Sequence, residues 1–112
     1  MKKVFISQPM DGYSVAQILH ERERTLKMAE KILHENLMLI DTYFPDEYIK
    51  GINVQGKVIT AIIDADVVVF VRHGEFTSGC KFEYSIAEKL EKPIIEIVNG
   101  VAILTNVYKE EE

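Results

Sequence analysis

One cysteine, three scattered histidines, a minority of basic residues and no apolar run of membrane-spanning length set the first limits on this 112-residue chain. Cys80 alone cannot form an intrachain disulfide, and His20, His34 and His73 show no ligand spacing. Neither a disulfide framework nor a structural metal is expected, and no cofactor is assigned. Thirteen basic against eighteen acidic residues leave a net charge of −5, which opposes non-specific binding along a phosphate backbone but allows one small anion to be held locally. A nucleic-acid partner is thereby disfavoured. There is no charged-then-apolar leader and no apolar stretch near about 18 residues, so no membrane partner and a cytoplasmic location are expected.

What is present suits one small globular domain. The chain is 47% hydrophobic and 28% charged, enough for a single modest core. That domain is placed at residues 1–108, and the acidic tail 109–112 is expected to fray. No internal repeat or low-complexity segment occurs.

Apolar runs alternate with helical patterns, the signature of βαβ units on a mostly parallel sheet. "KKVFIS" (Lys2 to Ser7) reads as a strand ending in the loop "QPMDG". A helix over 14–36 follows, with Ser14 as N-cap and Val15, Ile18, Leu19, Leu26, Ala29 and Leu33 on the face covering the sheet. "LMLID" (37–41) reads as a strand, 42–56 as a long irregular connection, and 57–65 as a short helix. "DVVVFV" (66–71) is a continuous β-branched run expected to be the central strand, buried on both faces. A polar loop (72–78), a helix, and a strand over 93–98 follow. Asn99-Gly100 between two apolar runs then signals a hairpin, so 101–105 is expected as an added edge strand, antiparallel to its neighbour. The fold expected from the pattern is α/β, with a mostly parallel sheet of about five strands.

One carboxylate breaks the pattern. On "SGCKFEYSIAEKL", turning about 100° per residue, Glu83 falls in one arc with Ile86, Ala87 and Leu90. Ligands of open parallel sheets bind outside the carboxyl ends of the strands, where "SQPMDG" and "RHGEFTSGCKFE" both run into helix N-termini able to hold an anion. Glu83 would face that crevice, available to attack or to accept a proton. The pattern equally allows a glutamate favoured by the helix dipole, bonding backbone amides or meeting Arg22, which also lies within its own helix's apolar face. Cys80 sits near the same helix start, but no histidine follows it at a telling position, so a packing role outweighs a nucleophilic one. Asp64 and Asp66 flank the strand entry at the opposite end and read as helix end and strand cap. Ser7, Gly12 and Ser78 can be ordinary turn and cap residues.

Together, "VFISQPMDG", "AIIDADVVVFV" and "SGCKFEYSIAEKLEKPII" resemble the nucleoside 2-deoxyribosyltransferase superfamily, in particular its short, phage-associated branch with an S-x-P-M-x-G opening. The resemblance covers nearly the whole chain and keeps the element order. It implies a flavodoxin-like (Rossmann-type) three-layer sandwich and chemistry at the N-glycosidic bond, deoxyribosyl transfer or hydrolysis, with Glu83 attacking the anomeric carbon to form a glycosyl-enzyme. It also implies nucleotide contacts from Ser7, Gln8, Met10 and Gly12 in the first loop, and from Thr77, with Ser78 and Gly79 beside it. Two departures stand out. Val58 falls near the position of the family's second aspartate, which aids proton transfer to the leaving base; Asp11, Asp46 or Tyr48 would have to replace it. The first loop also lacks the arginine and paired glycines of the monophosphate hydrolases. A non-catalytic nucleotide-binding or regulatory module therefore stays open, as does a structural protein with a vestigial crevice. A homo-oligomer, most simply a dimer, is expected, with some of Tyr43, Phe44, Ile52, Val54, Val58, Ile59 and Ile62 meeting a second chain. The resemblance adds Asn106 and Tyr108 as residues that reach across it.

Overall fold

The computed structural model describes residues 1–10, 12–40, 54–73 and 78–105, with the side chains of 54, 55, 78, 79, 104 and 105 outside that description. Among the described residues, five strands and three helices occur in the order β1 (Lys2–Ser7), α1 (Val15–Leu33), β2 (Leu37–Leu39), α2 (Val54–Asp64), β3 (Val67–Arg72), α3 (Ser78–Lys89), β4 (Ile94–Val98) and β5 (Val101–Thr105). The sheet order is β2-β1-β3-β4-β5, parallel except for the last pair. This is a flavodoxin-like α/β sandwich.

Strand alternation divides the core into two layers. Val4, Ile6, Val69, Val71, Ile95 and Ile97 meet Ala29 and the inner side of α1, and Phe5, Val68, Phe70 and Ile94 meet Val58, Ala61, Ile62 and Ala87 from α2 and α3. β3 is buried over its whole apolar run, as a strand covered on both faces requires. The hairpin forms with Asn99 at φ 50° and Gly100 at φ 84°, and Val98 pairs antiparallel with Val101. Left-handed backbone at both turn residues suits an Asn-Gly pair.

Several boundaries move. Ser14 caps α1 with a reciprocal capping box to Gln17, but the helix ends at Leu33 rather than at residue 36. There His34 turns left-handed at φ 58°, and the N–H groups of His34 and Glu35 both fold back onto the Glu30 carbonyl. The next strand starts at Leu37, as expected, and runs to Leu39. α2 starts at Val54 instead of 57 and carries Gly56 inside it, a helix position that costs only about 1 kcal/mol. β3 and β4 begin at Val67 and Ile94, one residue later than expected.

The expected apolar face of α1 is also corrected. Val15 and Leu19 are 55% and 48% exposed, whereas Arg22 and Thr25 are buried on the stripe with Ile18 and Ala29. The buried stripe runs through Ile18, Arg22, Thr25 and Ala29, and Val15 and Leu19 lie to one side of it. Leu90 is exposed as well, because α3 ends at Lys89 and Glu91 turns left-handed at φ 56°. Val58 and Ile62 are buried in their own chain's core, which removes them from any surface offered to a second copy. Tyr43, Phe44 and Ile52 lie outside the described residues. No helix among the described residues is long and apolar enough to cross a membrane.

Candidate functional site

β1 and β3 are neighbours with Ser7 opposite Phe70, so the chain leaves both strands at the same edge of the sheet. Ser7 shares a strand face with Phe5 and points toward α3; Gln8, the next residue, turns toward α1. From these two adjacent residues, both buried, two polar sets diverge toward partly exposed partners.

On the α3 side, Ser7 Oγ donates to Glu83 Oε1, and Cys80 Sγ lies 3.3 Å from the same hydroxyl. The Cys80 thiol can donate to Ser7 while Ser7 donates to the carboxylate. Glu83 stands between Cys80 and Ala87 on the inward stripe of α3, both of which are buried. The following residue fixes the rotation of the helix: the Tyr84 ring packs on Phe70 at 5.0 Å between centroids, and its hydroxyl donates to Glu96 Oε2 at 3.2 Å. Glu96 also meets Arg72 Nη2 at 3.5 Å. Burial, then the adjacent Glu96 charge, pushes the Tyr84 phenol up to about 12, so it remains an O–H donor at neutral pH. Burial likewise raises the Glu83 carboxyl above its ordinary value, while the Ser7 hydrogen bond and the positive charge of Arg22 work against the rise.

On the α1 side, Gln8 is a buried brace. Its Nε2 donates to the Ile18 carbonyl at 3.2 Å and to Glu21 Oε1 at 3.1 Å, and its Oε1 accepts from Arg22 Nε at 2.7 Å. The other oxygen of Glu21 lies 2.6 Å from His73 Nε2. His73 directly follows β3, and the Tyr13 ring lies 6.1 Å from its imidazole. Tyr13 N donates to the Met10 carbonyl at 3.2 Å, closing a turn in which Gly12 takes φ 84°, a conformation that favours glycine.

Ser7, Gln8 and Glu83 are thus gathered at one edge, with Met10 and Gly12 in the turn above them. Ser78 and Gly79 begin α3, with their side chains outside the described residues. Thr77, Asp11, Asp46, Tyr48, Asn106 and Tyr108 all fall outside the described residues. Gln8 differs from the sequence expectation in that its amide is engaged within the chain. Asp64 and Asp66 lie at the other edge, where Asp66 accepts from Lys3 N at 2.8 Å and Asp64 meets Lys3 Nζ at 3.0 Å. Among the described residues no group of three or more His, Cys, Asp and Glu is placed to hold a metal ion.

Arg22 was visible in the sequence as a charge on an apolar stripe. Glu21 and His73 were not, since a contact across 52 residues leaves no local periodicity. The site can hold a desolvated carboxylate against an electrophile, with a hydroxyl and a guanidinium to steady its charge. No family model matches the chain, and no curated protein matches it.

Proposed function

We propose that this protein binds a nucleoside or nucleotide at the carboxyl edge of β1 and β3 and cleaves, or transfers the sugar from, its N-glycosidic bond with Glu83 as nucleophile. The observation that supports the reading is the Glu83 carboxylate itself, half-buried on the inward stripe of α3 and held by Ser7 Oγ. A carboxylate oxygen attacks the anomeric carbon as the glycosidic bond breaks, giving a glycosyl ester that water or a second base then resolves. Ser7 and Arg22 stabilise the ionised form that must attack. Met10 and Gly12 are the first-loop contacts to the ligand, and Thr77, Ser78 and Gly79 supply those from the start of α3. The protein acts as a cytoplasmic homodimer, with Asn106 and Tyr108 reaching the partner's site.

A second reading has its own support. Val58, standing where the resembled family carries its second aspartate, is buried among Phe5, Ile62 and Phe70, a place that offers no proton. On that reading the site is a nucleotide-binding or regulatory module. Incubation with a panel of 2′-deoxynucleosides and their monophosphates, with free base detected chromatographically, separates the two. Base release that disappears in Glu83→Ala supports catalysis. A raised Tm with nucleotide but no released base supports the binder, and neither effect overturns both.

A further inference from the structure

We infer that His73, oriented by Glu21, is the group that delivers a proton to the leaving base. The inference rests on Glu83 acting as nucleophile and supplies the acid that Val58 cannot be. Its basis is the geometry of the α1 side. The Glu21 carboxylate is held at both oxygens, by Gln8 Nε2 at 3.1 Å and by His73 Nε2 at 2.6 Å. An ionised carboxylate only accepts, so Nε2 carries a hydrogen and Nδ1 is the ring atom free to exchange one with a ligand. A base oriented by a third group is the recurring form of such a device.

Placement agrees with the role. Gln8 follows Ser7, which holds Glu83, and His73 follows β3, the strand beside β1. Acid and nucleophile therefore stand at the same sheet edge on the two sides of one loop. The His73 side chain is 40% exposed and Glu21 27%, so the imidazole is reachable by a ligand while its anchor is more sheltered. The Tyr13 ring lies tilted beside the imidazole, 6.1 Å between centroids.

The step balances as follows. Glu83 forms a bond to the anomeric carbon while the carbon–nitrogen bond breaks and its electron pair passes to the base. The His73 imidazolium, with hydrogens on both nitrogens, gives its Nδ1 proton to a base nitrogen and becomes neutral, still donating Nε2–H to Glu21. Water then attacks the glycosyl ester, His73 accepts its proton, and Glu83 departs as carboxylate. His73 is thus a catalytic residue; Glu21 and Gln8 are positioning residues.

The test compares leaving groups. Natural 2′-deoxynucleosides need protonation of the departing base, whereas 4-nitrophenyl 2-deoxyriboside releases a stable anion and needs little. For His73→Gln, base release is expected to fall about 100-fold and nitrophenol release only about threefold. Glu21→Gln should show the same split at about tenfold on the natural substrates. Glu83→Ala should lose both activities. An equal loss on both substrates, or no loss, in His73→Gln overturns the role of His73 while leaving Glu83 in place. A wild-type protein that releases neither product overturns His73 and the Glu83 reading together.

Discussion

At the amino edge of the sheet, Lys3 meets Asp64 at 3.0 Å with both side chains largely in water, and Asp66 holds the Lys3 amide at 2.8 Å. At the carboxyl edge, Ser7, Gln8 and Arg22 use the same kinds of group away from water, with Glu83 half-buried beside them. The difference is one of cost. Exposed pairs give up little hydration and contribute at most about 1 kcal/mol, while buried charges lose hydration that their partners only partly return. Stability alone would be served by apolar side chains at 22 and 83, each of which lies on an inward-facing stripe. The costly groups are concentrated at one edge, where the parallel strands open, and that edge is the one proposed above as the site.

The largest effect should come from Arg22→Ala. It removes the donor to Gln8 Oε1 and the positive charge beside Glu83, and urea unfolding should show a loss of roughly 3 kcal/mol or more. Ser7→Ala comes next: it leaves the Glu83 carboxylate without its hydroxyl donor and should cost about 1–2 kcal/mol at neutral pH, with base release reduced in parallel.

Glu83→Gln runs the other way. The folded carboxyl binds its proton more tightly than the unfolded chain does, so wild-type stability falls as pH rises through and above the ordinary carboxylate range. Glu83→Gln lacks that dependence. Thermal melts should give the mutant the higher Tm at neutral pH and near equality below about pH 4. A mutant less stable at neutral pH would mean that Ser7 and Arg22 more than offset the burial of the charge.

The smallest effect belongs to the amino edge. Lys3→Ala and Asp64→Ala should each change stability by under about 0.5 kcal/mol, with no change between low and high salt once either partner is gone. If Lys3→Ala cost as much as Ser7→Ala in the same unfolding series, the contrast between the two edges would collapse.

Within single elements, the sequence by itself determined a great deal. The β-branched run of β3, the Asn-Gly hairpin, the Ser14 cap and the inward angle of Glu83 all follow from backbone propensity and side-chain period, which act over a few residues. Those same local rules placed Val15 and Leu19 on the covered face, because periodicity assigns a direction but not what lies opposite. Only the tertiary structure decided which side of α1 is covered there, that Gln8 braces Arg22, and that Glu21 meets His73 from 52 positions away. Such contacts depend on which strands become neighbours and how each helix is rotated against them. Strand order and helix rotation are set by the packing of the whole domain, so no window of sequence contains them.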